Sequence, residues 1–224
     1  MTPDPISRKG ILTYTNSGKS SFFLLLLRLL DPAPPSTEGI HIDSVPLHKV
    51  HRPTLRKRII AVPQEPVFLP GVTTVLANLD PDSAASEEER LDVLKAVKLE
   101  GLADAAVEQL SAGQKQLLSL GRAILRRRMK RGAGGLLLLD EVGSSVDGET
   151  DKVMGEVIRR EFEGYTVVMI AHRLGMVREY SDRVVVLDKG RVVEDGDPRV
   201  LVGVEGTRFR DLWLSGAYED IKAS

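Results

Sequence analysis

The sequence predicts an α/β fold built on a parallel sheet, and three observations support this class. Segments with strand-like and helix-like patterns alternate along the chain. The run GLLLLDE, residues 135–141, is continuously apolar before its two acids, which is typical of a strand that is buried on both faces of a parallel sheet. The chain has 224 residues, 42% of them hydrophobic, which is enough for one domain with a sizeable core.

The composition excludes several classes of protein. The 31 basic and 32 acidic residues give a net charge of −1, which argues against a protein that mainly binds nucleic acid. The absence of cysteine excludes disulfides and thiolate metal sites. The most apolar run, residues 22–30, has about half the ~20 residues of a membrane-spanning helix and is interrupted by Arg28.

The first half of the chain supplies strands with a helix between them. We expect a short strand at residues 11–15 that leads into the loop NSGKS, and then a helix to about Leu30. Residues 40–47 alternate apolar and polar side chains, which indicates an edge or half-buried strand. A further strand is predicted at residues 59–62, where Pro63 ends it.

The second half alternates more regularly. Helical spacing extends over residues 86–110, with acidic residues in the first turn, and a second helix covers residues 111–128. After the strand at 135–140, the remaining predicted elements are a helix at 149–161, a strand at 166–171, a helix at 174–179 and a strand pair within 183–196.

The stretch TYTNSGKSS, residues 13–21, fits half of a phosphate-binding loop. In the pattern G-x-x-x-x-G-K-[ST], backbone amides surround phosphates, the lysine reaches them and the hydroxyl binds Mg²⁺. Gly18, Lys19 and Ser20 match this pattern, whereas Thr13 and Asn16 stand where glycine is usual. If the backbone at Thr13 had to be left-handed, its branched side chain would cost on the order of 1–2 kcal/mol. The alternative is an ordinary helix N-terminus.

Two acids end the apolar strand at 135–140. As a Walker B strand, it would place Asp140 on Mg²⁺ and Glu141 on the water that attacks the phosphate. The alternative is a buried strand that carries acids at its solvent-exposed end.

The stretch LSAGQKQ, residues 110–116, also has two interpretations. Ser111 and Gln114 have the spacing of a capping box, which starts a helix without any ligand. The same helix N-terminus, with Ser111 and the Gly113 amide, could hold a phosphate. Gln64 in a loop and His172 after an apolar strand are, by themselves, more typical of structural residues.

The order of these features is more informative than any one of them. The series resembles the nucleotide-binding domain of ABC transporters, with LSAGQ as the signature, residues 144–147 (SSVD) as the D-loop and His172 as the switch histidine. NLDP (78–81) and VPQEPVF (62–68) resemble the second such domain of multidrug-resistance-associated, subfamily C exporters, and so does the tail at 181–202.

The resemblance implies a fold class and a domain plan. It implies a P-loop NTPase core of the ABC ATPase type with a small, shortened helical subdomain. Residues 1–81 and 136–224 would form the core, and residues 82–135 the helical part of a single ATP-binding domain. The family's first strands, with the aromatic residue that stacks on adenine, are expected to lie before Met1 and therefore to be missing.

The resemblance also implies ATP and Mg²⁺ as cofactors. Ser20, Gln64 and Asp140 would organise Mg²⁺, Glu141 would be the general base, and His172 would contact the γ-phosphate. The implied phosphate-binding residues cover the whole loop and the start of the next helix: Thr13, Tyr14, Thr15, Asn16, Ser17, Gly18, Lys19, Ser20 and Ser21.

Two partners follow from the resemblance. Ser111, Gly113 and Gln114 of the signature, with Asp147 of the D-loop, would act at the nucleotide of a second nucleotide-binding domain in a head-to-tail dimer. A membrane-spanning transporter domain would hold the chain at the cytoplasmic face of a membrane, where ATP hydrolysis drives export. No nucleic-acid partner is expected.

Two alternatives remain open. The departures at Thr13 and Asn16, with the expected missing strands, favour a catalytically impaired domain that binds nucleotide weakly or not at all. A soluble ABC ATPase of DNA maintenance would need long coiled coils between the loop and the signature. No sustained heptads lie between Gln64 and Ser111, and the balanced charge also disfavours this class.

Overall fold

The structure is a computed structural model of the 224-residue chain. It describes residues 8–13, 18–32, 39–71, 73–130, 134–140, 148–171 and 174–222. For residues 8–13, 19, 20 and 216–222 only the backbone is described.

A six-stranded sheet forms the centre of the described chain, and its order is β4-β5-β6-β1-β7-β8. The first five of these strands are parallel, and β8 pairs antiparallel with β7. This confirms the predicted parallel α/β class. The strands are β1 (Arg8–Thr13), β2 (His41–Ile42), β3 (Val45–Pro46), β4 (Ile59–Val62), β5 (Gly135–Asp140), β6 (Tyr165–Ile170), β7 (Arg183–Asp188) and β8 (Arg191–Gly196).

Helices cover both faces of this sheet. They are α1 (Lys19–Leu26), α2 (Arg52–Arg58), α3 (Val75–Leu79), α4 (Glu87–Ala96), α5 (Ala112–Met129), α6 (Gly148–Glu161), α7 (Leu174–Tyr180), α8 (Pro198–Leu201) and α9 (Arg208–Lys222). The sequence patterns did not predict α2, α3, α8 or α9.

The core explains why β5 is apolar throughout. Leu137 and Leu139 face a cluster that includes Leu118 and Ile124 of α5, whereas Leu138 faces an opposite cluster that includes Phe23 of α1. These three leucines are fully buried, whereas Leu136, nearer the start of the strand, is half-buried. Since both faces of the parallel sheet are covered, alternation of apolar and polar side chains is not expected.

Three predicted elements differ clearly from the structure. Residues 86–110 do not form one helix, because α4 ends at Ala96, Lys98 is left-handed (φ 60°), and two short 3₁₀ turns follow, Glu100–Leu102 and Val107–Gln109. Between these turns the backbone bonds to a distant segment, with the amide of Val75 donating to the carbonyl of Ala105 at 2.9 Å. This long-range pairing outweighs the local helical pattern.

The other differences are local. The strand expected at 40–47 is a small hairpin, β2–β3, which is separate from the main sheet and turns through the left-handed residues Asp43 and Ser44. Helix α1 ends at Leu26 instead of Leu30, and Arg28 adopts a left-handed conformation (φ 53°).

Candidate functional site

Neighbouring parallel strands bring several of the predicted site residues to one edge of the sheet. The strands β4, β5, β6 and β1 are consecutive in the sheet. Gln64 follows β4 after Pro63, Asp140 is the last residue of β5, and Thr13 is the last residue of β1. In open α/β sheets, ligands bind beyond the carboxyl ends of the strands, so this edge is the candidate site.

The register of the strands gives the spacing along this edge. Asp140 pairs with Ile170 of β6, and Ile170 pairs with Ile11 of β1. Asp140 therefore lies two strand spacings, about 10 Å, from Ile11, which is two residues before the end of β1. On its other side β5 pairs with β4, where Leu139 is opposite Val62. The strand that ends in Asp140 thus lies between the strand that leads to Gln64 and β6.

The N-terminus of α1 lies close to the same edge, since α1 begins at Lys19, six residues after Thr13 ends β1. Gly18 is the N-cap residue in a left-handed conformation (φ 97°, ψ 17°), and as a glycine it has no side chain that could cap the helix. The first helical hydrogen bond runs from the amide of Phe22 to the carbonyl of Gly18, at 2.9 Å. The amides of residues 19–21 precede this bond and therefore have no acceptor within the helix, which is the usual arrangement where a helix N-terminus binds an anion.

The left-handed backbone at position 18 is the reason for glycine there. A Cβ atom at this position would meet no atom within 4 Å, so space does not select glycine. A φ of 97° is strained for any residue that carries a side chain. The strain considered for Thr13 required a left-handed backbone at that position. Thr13 is instead a strand residue, paired with Leu187. A branched side chain is favoured in a strand, so strain at Thr13 has no basis in this fold.

The donor atoms at this edge fit Mg²⁺. Asp140 is half-buried at the end of three fully buried leucines, and Gln64 is exposed in its loop. A carboxylate and an amide oxygen are ligands that Mg²⁺ accepts, and Mg²⁺ commonly takes its other ligands from water and phosphate. Within the described residues no group of three or more His, Asp or Glu side chains could hold a metal alone.

Helix α5 begins with the predicted capping box. The amide of Gln114 donates to the hydroxyl oxygen of Ser111 at 3.1 Å, and the amide of Ser111 donates to Oε1 of Gln114 at 2.9 Å. Ser111 is exposed and Gly113 is buried. The Ser111 hydroxyl can still donate its own hydrogen, and the amides of the first turn other than that of Gln114 have no helical acceptor. The capping box therefore leaves hydrogen-bond donors at this helix end that a phosphate could use.

Several predicted site residues lie outside the described part of the chain. The side chains of Thr13, Lys19 and Ser20 are outside it as well, although their backbones are described. Ser21 is exposed in the first turn of α1. The residues that lie wholly outside are Tyr14, Thr15, Asn16, Ser17, Glu141, Asp147 and His172.

Sequence analysis missed a polar pair that connects the Gln64 loop to α5. Asn78 is fully buried, and its side-chain oxygen accepts a hydrogen bond from Nη2 of Arg122 at 3.1 Å. The only local signal was the stretch NLDP, which we used for its family resemblance. The contact spans 44 residues, so no short pattern predicts it.

The comparison with protein families decides the assignment. A family model described as ABC transporter matches residues 8–143, which include β1, α1, α5 and β5.

The chain belongs to the ABC transporter family.

Its relatives agree with this assignment. It is 56% identical over 221 residues to ABC transporter FGM5 of Gibberella zeae, covering 93% of this chain and 15% of that protein. It is 37% identical over 216 residues to ABC transporter C family member 5 of Dictyostelium discoideum, covering 92% of this chain and 14% of that protein. The chain therefore spans only about a seventh of the length of these curated relatives.

A solved structure shares the fold. The structure of a bacterial Atm1-family ABC exporter with ATP bound matches with a TM-score of 0.79 and 26% identity, over 94% of this chain and 37% of that chain. The chain is thus an ABC transporter ATP-binding domain, and its family implies the use of nucleotide and Mg²⁺. In the parts of the chain that the structure describes, no helix is both long enough and apolar enough to span a membrane.

Proposed function

We propose that this chain binds and hydrolyses ATP to drive export, and that it corresponds to the second nucleotide-binding domain of a subfamily C transporter. One observation carries the proposal: the carboxyl ends of β4, β5, β6 and β1 meet at one edge, with the N-terminus of α1, whose N-cap residue is the left-handed Gly18. Similarity to a relative named as a C family member supports the subfamily.

The residues of this edge divide the work of binding Mg·ATP. The amides of residues 13–21 and the ammonium group of Lys19 hold the phosphates, since a helix N-terminus attracts anions. Ser20, Gln64 and Asp140 hold the metal ion, which neutralises charge on the phosphate oxygens when it is bound. The three metal-binding residues belong to separate segments, so the site is assembled only in the folded chain.

Hydrolysis needs a base next to the γ-phosphate. Glu141 follows the last residue of β5 and accepts a proton from the attacking water as the bond to the γ-phosphorus forms and ADP leaves. His172, two residues after the end of β6, contacts the γ-phosphate. Glu141 follows β5 and His172 follows β6, and the last residues of these two strands, Asp140 and Ile170, are paired. This pairing favours proximity of Glu141 and His172.

A second domain completes the site. Ser111, Gly113 and Gln114 at the start of α5, with Asp147 before α6, close over the nucleotide of a partner domain in a head-to-tail dimer. Residues 82–135 act as the helical subdomain that carries this signature, and residues 1–81 and 136–224 act as the core. A membrane-spanning transporter domain is the other partner, which places the chain at the cytoplasmic face of a membrane.

The decisive test replaces the base. Glu141→Gln removes phosphate release but retains binding of a fluorescent ATP analogue, because the amide keeps the shape of the side chain and loses its basicity. The matched control is Glu163→Gln, an exposed glutamate just before β6 at the opposite edge of the sheet, which retains turnover. Equal phosphate release from the parent and Glu141→Gln would refute the assignment of the base.

The alternative is a catalytically impaired domain, and the glycine replacements in the loop motivate it. It predicts weak or absent binding of the ATP analogue by the parent chain, and no phosphate release. Titration of the parent chain with the fluorescent ATP analogue, with and without Mg²⁺, distinguishes an active ATPase from an impaired domain before any variant is made.

A further inference from the structure

The loop that follows Gln64 is held at its far end by a buried amide. Residues 63–71 contain no helix or strand. The amide of Leu69 in this loop donates to Oδ1 of Asn78 at 2.9 Å. The Nδ2 group of Asn78 donates to the hydroxyl of Thr73 at 2.5 Å and to the carbonyl of Thr74 at 3.1 Å. The side chain of Asn78 is thereby fixed in one orientation toward the loop.

Arg122 of α5 binds the same loop and the same asparagine. Its Nη1 group donates to the carbonyl of Val67, and its Nε group donates to the carbonyl of Asn78 at 2.5 Å. Its Nη2 group donates to Oδ1 of Asn78 at 3.1 Å, and its guanidinium lies over the Phe68 ring, 5.2 Å from the centroid. One side chain of α5 therefore holds two points of the Gln64 loop and the helix α3 beyond it.

The chemistry of this contact depends on arginine. The acceptors are two backbone carbonyls and a side-chain amide, all neutral, so geometry more than charge pairing selects the residue. Three donors of a rigid planar fork reach three acceptors, which the single ammonium of lysine cannot do. Burial, and then the charge of Arg126, lower the pKa of Arg122, as expected for a cation that is held among neutral groups.

The contact lies between two parts of the candidate site. Gln64 begins the loop at one end, and Ser111 begins α5, eleven residues before Arg122. A continuous helix over this distance is a rigid segment of about 16 Å. An open groove of about 470 Å³ lies beside the contact, lined by Val67, Leu69, Arg126 and Met129 among others, so the loop has space in which to shift.

We propose that Arg122 and Asn78 are positioning residues that couple Gln64 to the helix that begins at Ser111. When Mg·nucleotide draws the Gln64 loop toward the sheet edge, the pair transmits this displacement to α5 and orients Ser111 for the partner domain. The inference rests on the proposed function, since it requires nucleotide at Gln64. It assigns to Arg122 and Asn78 a role in communication without direct contact to the nucleotide.

Hydrogen exchange measured by mass spectrometry tests the coupling. Two proteins are compared, each with and without Mg·ATP. The parent is the Glu141→Gln chain, which retains nucleotide, and the variant carries Arg122→Lys in addition. We expect Mg·ATP to slow exchange in residues 64–71 and 111–118 of the parent, but only in residues 64–71 of Arg122→Lys. ATP-driven dimerisation, measured by sedimentation, should weaken about tenfold, while ATP binding to the monomer changes by less than about twofold.

The matched control is Arg126→Lys, one helical turn further along the same face and lining the same groove. It should behave as the parent in both segments. If Arg122→Lys does not fold, Arg122→Gln, which keeps an amide donor on a shorter stem, replaces it in the same assay. Protection of residues 111–118 in the variant equal to that in the parent overturns the proposal.

A nucleotide-free measurement separates this inference from the proposed function. Without ATP, the amide of Leu69 should exchange faster in Arg122→Lys than in the parent, because Asn78 loses one of its anchors. A parent that does not respond to Mg·ATP refutes the proposed function and, with it, the transmitted displacement. An unchanged rate at Leu69 refutes the contact itself, whatever the response to ATP.

Discussion

Ser111 and Gln114 each accept a hydrogen bond from the backbone amide of the other, at the first turn of α5. This reciprocal cap accounts for the helix start without any ligand. The signature interpretation uses the same residues for a partner's nucleotide. The two roles are compatible in space, so experiments must separate stability from dimerisation.

Ser111→Asp separates them. Aspartate is as good an N-cap as serine, and its charge suits a helix N-terminus, so the melting temperature should stay close to that of the parent. The same charge repels a phosphate, so ATP-driven dimerisation of the Glu141→Gln chain should be lost. Sedimentation with and without Mg·ATP measures this. Undiminished dimerisation of Ser111→Asp would show that the residue is only a cap.

Alanine variants provide the control, because α4 begins with a second capping box, formed by Ser86 and Glu89. Ser111→Ala and Ser86→Ala should each reduce the free energy of unfolding by about 1 kcal/mol. Only Ser111→Ala should also weaken dimerisation. Equal effects of the two variants on dimerisation would indicate a loss of stability alone.

Thr13→Gly should not improve nucleotide binding. Thr13 is the last residue of β1 and pairs with Leu187, where glycine costs backbone entropy and strand propensity, together about 1 kcal/mol of stability. Urea unfolding measures this loss, and titration with an ATP analogue measures affinity. Thr13→Val, which keeps the branched side chain, is the control. Tighter binding by Thr13→Gly would mean that threonine strains the loop after all.

Gly18→Ala should weaken both the fold and the site. At φ 97° a side chain costs about 1–2 kcal/mol, although the space around Gly18 is open. We expect a lower urea midpoint and weaker binding of Mg·ATP, since relief of the strain would turn the first amides of α1 away from the phosphates. Gly101→Ala, at a glycine without positive φ and with equally open surroundings, should change neither quantity. Unchanged binding by Gly18→Ala would separate the α1 amides from the nucleotide.

Local patterns predicted those elements whose local and tertiary preferences agree. The strand at 59–62, the strand at 135–140 and the helix from Ser111 formed close to their predicted bounds. The long helix over 86–110 was wrong, because residues 103–107 bond to residues 73–76 and end the helical run. Helix α9 (Arg208–Lys222) was not predicted, although its helical pattern is local in the sequence.

Local sequence motifs identified the family and predicted the chemistry of the candidate site, because phosphate and Mg²⁺ binding need particular residue types at short spacings. Gly18 before Lys19, Asp140 after an apolar run and Ser111 before Gln114 are all such local patterns. The tertiary structure alone decided that β1 lies between β6 and β7, and that Arg122 meets the carbonyl of Val67, 55 residues away. Backbone carbonyls are present at every residue, so a contact to one of them leaves no trace in the sequence, and only the packing of α5 against the loop selects it.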